Sequence, residues 1–175
     1  MRLAIYLVTV ERKVSVMVKN IQLVVFSIGK EHYGVSIDAV QEIVQVPELT
    51  IVPDAPDVLE GVINLRGKVV PVIDLRKRLR LRGGSRTNAK RILVTENNGS
   101  MVGLLVDTVS EVCKVLPDAV DAPPEMIMAI GIEYITGMIK SAERLIILLD
   151  LKKILSINDM RTIKPAKDVR DNQAA

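Results

Sequence analysis

A chain of 175 residues suits one compact domain, or two very small ones sharing a core. Apolar residues make up 49 % and aromatic residues only 2 %, so the core must be built from Val, Ile and Leu, a composition that favours strands. The lone cysteine, Cys113, excludes an internal disulfide and fits a reducing compartment, and the lone histidine, His32, argues against zinc or nucleophile–base chemistry.

Residues 1–19 form an N-terminal extension. Its apolar run, Leu3 to Val10, is too short to span a bilayer, and Glu11-Arg12-Lys13 follows in place of a cleavage pattern. An added strand or a frayed extension is expected there, and Met17 is a second candidate start. Ile21 to Ile28 reads as a strand that turns at Gly29-Lys30-Glu31 and returns as Glu31 to Ile37. From Asp38 two readings stay open. Asp38 with Gln41 resembles a capping box, while the alternation Val40, Glu42, Val44 suits a strand.

Pro53 to Leu79 contains two β-rich runs joined at Asn64-Leu65-Arg66-Gly67, which predicts a hairpin. The bend needs its glycine but not an arginine between Leu65 and Gly67, and that excess marks a candidate functional corner. Leu75 to Arg91 carries eight basic residues and no acid, read as a solvated helix face and a loop rather than a nucleic-acid patch. Arg80 to Asn88 is a basic linker. Lys90 to Glu96, the turn Asn97-Asn98-Gly99 and Met101 to Val106 predict a second hairpin, and Val109 to Leu116 continues as a strand in which Cys113 is a small buried hydrophobe. Pro117 to Pro124 is a loop, followed by a short helix or coil over Met126 to Ile130. Strands are predicted at Tyr134 to Lys140 and Leu145 to Leu149, a short helix from Leu151 to Leu155, and a flexible polar tail over residues 158–175.

The chain repeats itself. Gly34 to Ile43 aligns with Gly103 to Val112, keeping Gly, Asp, Val and Glu, at an offset of 69. Gly61-Val62-Ile63 aligns with Gly137-Met138-Ile139, and Val72 to Lys77 with Leu148 to Lys153, at an offset of 76. The shared Asp74 and Asp150, each followed by a Leu-Arg/Lys segment, predict helix N-caps. Asn64-Leu65-Arg66-Gly67 has no counterpart in Lys140 to Glu143, which makes it the better functional candidate. The predicted fold is mainly β: two small tandem units, roughly residues 20–82 and 89–157, sharing an apolar interface.

GVINLRGKVVPVIDLR (Gly61–Arg76), with Tyr33-Gly34, Val40-Gln41-Glu42-Ile43, the Val106 to Val112 run and Glu133 to Gly137, resembles the CheW family of bacterial chemotaxis coupling proteins. The resemblance covers about residues 21–155. It implies two five-stranded β-barrels of SH3-like type over residues 20–157. It also implies a non-catalytic, cofactor-free cytoplasmic adaptor, monomeric in solution. Such an adaptor links the tips of methyl-accepting chemoreceptors to the regulatory domain of the histidine kinase CheA, in arrays beneath the membrane and without inserting into it. Carried over to matching positions, it implies a receptor groove involving Val40, Glu42, Gly61, Asn64, Arg66, Gly67, Val109 and Val112. Each valine taken alone reads as core, and Arg66 as a surface ion pair. The extension and the basic run depart from the family pattern, so a kinase contact near residues 76–91 does not transfer. The competing reading, a basic barrel that binds nucleic acid, lacks stacking aromatics.

Overall fold

The computed structural model describes residues 19–83 and 90–156. The expectations for the N-terminal extension, most of the basic linker and the polar tail lie outside the described residues. Among the described residues ten strands form: β1 (Ile21–Ile28), β2 (Glu31–Ser36), β3 (Glu42–Gln45), β4 (Leu59–Leu65), β5 (Lys68–Asp74), β6 (Arg91–Asn97), β7 (Ser100–Val106), β8 (Thr108–Val115), β9 (Ile135–Ser141) and β10 (Arg144–Leu149). Three short helices accompany them: α1 (Leu75–Arg78), α2 (Glu125–Ala129) and α3 (Leu151–Ser156).

The strands build two five-stranded sheets with the orders β8-β1-β2-β10-β9 and β3-β6-β7-β5-β4. This corrects the expected division at residues 82 and 89. Each sheet takes the first hairpin of one repeat and the last three strands of the other, so both repeats run through both sheets. The reason lies in the pairing. β2 lies parallel to β10 and β5 parallel to β7, and β8 and β3 add to β1 and β6 of the opposite repeat. An isolated bridge, Thr50 to Val62, ties the segment after β3 to β4, and Asp121 to Met138 does the same between the segment after β8 and β9.

β1 shows why a nearly unbroken apolar run is needed. Val24, Phe26 and Ile28 pack on one side of it, in a cluster with Ile73, Leu75, Leu93, Leu104 and Leu155 that joins the two sheets. Leu23 and Val25 pack in a separate cluster with Ile139, Ile146 and Leu148. A strand buried on both faces cannot alternate with polar residues. The second sheet has its own cluster, built on Ile63, Val70, Val72, Ile92 and Val94. Phe26 and Tyr33 sit opposite each other across the first hairpin and stack with centroids 5.9 Å apart. Burial raises the Tyr33 phenol pKa, with the nearby Glu31 adding to the shift.

The open reading after Asp38 resolves into two parts. A single 3-10 turn spans Ile37–Ala39 with no side-chain cap, and Glu42–Gln45 is a strand. Gln41 donates to Glu96 at 3.3 Å and forms no capping box. The predicted N-caps are present. Asp74 Oδ1 accepts from the Arg76 and Lys77 amides, and Asp150 Oδ1 from those of Lys152 and Lys153. The basic run is not simply solvated. Arg76 pairs with the buried Asp107 at 2.6 Å, Lys77 with Asp57 and Glu60, and Arg78 donates to the Ile154 carbonyl at 2.9 Å. Burial works against the Lys77 ammonium, but its hydrogen bond to Asp57 and the charge of Glu60 outweigh that and raise its pKa.

Candidate functional site

The β4–β5 hairpin turns through two residues, Arg66 and Gly67, with φ of 50° and 80°. That left-handed pair suits the inherent twist of a two-residue hairpin and normally selects Asn-Gly or Gly-Gly. The β6–β7 hairpin uses the preferred chemistry, Asn98-Gly99, at φ of 51° and 79°. Arg66 therefore holds a conformation that costs on the order of 1 kcal/mol for a long side chain. Asn64 supports the turn, its Oδ1 accepting the Gly67 amide at 2.9 Å.

From this corner the Arg66 guanidinium, 72 % exposed, donates to Glu42 Oε1 on β3. Glu42 lies on one edge strand of the second sheet, and Arg66 follows β4, the strand at the opposite edge. They border a recess of about 360 Å³ together with Gln41, Leu65, Lys68 and Met101. Its lining thus combines the apolar Leu65 and Met101 with two cations and a carboxylate.

The valines take separate places. Val40 and Val109 are half-buried against the cluster that joins the sheets. Val112 lies on the edge strand β8 opposite Val24, a residue of that cluster, yet it is 54 % exposed. A register shift between Val25 and Phe26 accompanies the pairing of Phe26 with Val109. Ile43 was absent from the sequence-derived set. It pairs with Leu93 of the same cluster from β3, an edge strand of the second sheet, and is 40 % exposed. The repeat had already aligned Ile43 with Val112, which was the signal that could have found it.

Gly61, one of the groove residues that the resemblance implies, lies within β4. It is buried at φ 155°, beside the register shift that follows Leu59, and a Cβ there would stand 2.6 Å from the Thr50 carbonyl oxygen. It shapes the bridge from Thr50 to β4 and offers no surface.

The second repeat supplies an ion pair that the sequence alignment hid. Arg144 donates to Glu111 Oε1, and Glu111 aligns with Glu42. Arg144 aligns with Lys68 rather than Arg66, so an equivalent pair arises from a residue two positions further along the hairpin. Neither turn residue there, Ala142 or Glu143, has positive φ. The ion pair is duplicated, and the left-handed arginine is not.

A model of the CheW-like domain family matches residues 22–158. The chain belongs to the CheW-like domain family. It is similar to the chemotaxis protein CheW of Treponema pallidum, 34 % identical over 149 residues, covering 83 % of this chain and 88 % of that one. The Klebsiella aerogenes chemotaxis protein CheW is 35 % identical over 142 residues, covering 81 % and 86 %. Among solved structures, the scaffolding protein TtCheW from Thermoanaerobacter tengcongensis matches with a TM-score of 0.72 and 35 % identity, covering 81 % of this chain and 96 % of that one. The mainly β architecture and the family expected from sequence are thus found. No helix of the described residues is long and apolar enough to cross a membrane, and among them no group of three or more His, Cys, Asp or Glu is placed to hold a metal ion.

Proposed function

We propose that this chain is a cytoplasmic, non-catalytic adaptor coupling the tips of methyl-accepting chemoreceptors to the histidine kinase CheA, and that the receptor engages the Arg66 corner and the exposed aliphatic side chains of the edge strands β3 and β8. The observation that carries this reading is an arginine held in left-handed backbone at a hairpin tip with its guanidinium in solvent. Strain at an exposed residue that has a better-suited alternative elsewhere in the same fold points to a use outside the fold.

The chemistry fits a helical partner. A helix laid against the protein needs aliphatic surface to bury and a few polar groups to fix its rotation. Val112 and Ile43 offer exposed aliphatic surface, Val40 and Val109 are half-buried against the cluster that joins the sheets, and Arg66 provides a forked donor for a carboxylate. Glu42 holds that fork in place before a partner arrives. The nucleic-acid reading has nothing comparable. Phe26, Tyr33 and Tyr134, the aromatic residues among those described, all pack on the inter-sheet cluster. The test is co-sedimentation of the wild type and Arg66→Glu with a receptor-tip fragment, where loss of binding by a folded variant supports the reading and unchanged binding contradicts it.

A further inference from the structure

A second recess lies away from the Arg66 corner. It is a cavity of about 520 Å³ whose apolar wall includes Ile21, Leu23, Val120 and Leu148, and Asp38 and Lys152 also line it. The internal repeat supplies its explanation. Asp38 aligns with Asp107, Asp150 with Asp74, and Lys152 with Arg76. The aligned residues border a much smaller recess, of about 60 Å³, in the other sheet.

In that smaller recess the carboxylate is answered from within the chain. Asp107 Oδ2 accepts from Arg76 Nη2 at 2.6 Å and from the Gly29 amide at 2.6 Å. Leu105, which aligns with Ser36, is buried there. On the Asp38 side each of these features changes. The Asp38 carboxylate and the Lys152 ammonium make no hydrogen bond or ion pair among the described residues, and Ser36 leaves open the space that a leucine would occupy. The shorter, point-charge lysine replaces the forked guanidinium.

We propose that the Asp38 cavity receives an arginine side chain from a partner protein, with apolar neighbours of that arginine covering the Ile21, Leu23 and Val120 wall. The fold itself displays the complex: the smaller recess is closed by the chain's own Arg76 against Asp107, and the equivalent recess presents the matching carboxylate, Asp38, to solvent. Two carboxylates, Asp38 and Asp150, against one ammonium leave the cavity favourable to a cation. This site does not depend on the reading of the Arg66 corner, and Arg66→Glu is expected to leave it unchanged.

The experiment titrates blocked peptides Leu-Arg-Leu, Leu-Lys-Leu and Leu-Gln-Leu into the full isotope-labelled chain and follows its assigned amide resonances. The arginine peptide is expected to give saturable shifts at Asp38, Val120 and Leu148, with affinity about tenfold above the glutamine peptide and the lysine peptide between them. Asp38→Asn is expected to lower arginine-peptide affinity by about tenfold. Ser36→Leu, which copies the buried residue of the other repeat, is expected to abolish the shifts. Equal affinity for the arginine and glutamine peptides, no saturable shift, or shifts confined to other surfaces would overturn the proposal. So would concentration-dependent shifts at the same amides without peptide, which would assign the cavity to a second copy of this chain.

Discussion

Arg66 and Arg144 stand on equivalent hairpins, two alignment positions apart, and each reaches the glutamate that the repeat places opposite it. The pairing is therefore part of the shared architecture, a tie between a hairpin tip and an edge strand. What sets Arg66 apart is its φ of 50° and its 72 % exposure, against 32 % for Arg144.

Removing the strain isolates that difference. Arg66→Asn would reproduce the Asn98-Gly99 turn of the other repeat's hairpin. It is expected to stabilise the fold by about 0.5–1 kcal/mol, since it relieves left-handed strain and gives up only an exposed ion pair. A raised urea midpoint with an unchanged slope, together with weaker receptor-tip binding, is the expected result.

The exposed aliphatic side chains of β3 and β8 separate binding from folding. Val112 is 54 % exposed and Ile43 40 %, so Val112→Asp and Ile43→Asp are expected to shift stability by less than about 1 kcal/mol. Both are expected to weaken receptor-tip binding at least tenfold by isothermal titration, because a carboxylate would have to be buried there.

Arg76 and Asp107 are 18 % and 9 % exposed, and the pair anchors α1 against the start of β8. Arg76→Ala leaves the carboxylate with the Gly29 amide as its remaining partner and is expected to cost about 3 kcal/mol. Thermal unfolding measures the loss directly.

Gly61→Ala would place a methyl 2.6 Å from the Thr50 carbonyl oxygen, at a positive φ. The bridge from Thr50 to Val62 must then open, at an expected cost of about 2–4 kcal/mol. Hydrogen exchange at the Thr50 and Val62 amides, which bond each other's carbonyls at 2.9 Å, reports this locally.

Strand positions were legible because local pattern decides them. The Ile21 run, the Asn-Gly turn and the paired Asp N-caps each carry a short-range physical cause. The exchange of strands between repeats was not legible. Nothing in β3 or β8 states whether its ladder partner comes from its own repeat or the other, since both choices bury the same valines. The Arg144–Glu111 pair escaped for a related reason: equivalence in space tolerates a shift of two residues along a hairpin that an alignment scores as a mismatch. Arg66 was legible as an excess over what the turn requires, and the structure supplies its backbone conformation. The Asp38 cavity needed side-chain placement, because Asp38 and Asp107 look alike in sequence and differ only in what answers their charge.

The most direct measurement is the dissociation constant of a receptor-tip hairpin for three proteins side by side: wild type, Arg66→Glu and Arg144→Glu. Each variant breaks one of two matching ion pairs, so the structural cost is balanced between them. Affinity lost at least tenfold in Arg66→Glu and kept within about twofold in Arg144→Glu is the predicted result. Equal losses in the two variants, or none in Arg66→Glu, would contradict the assignment of the partner-facing corner to the first repeat.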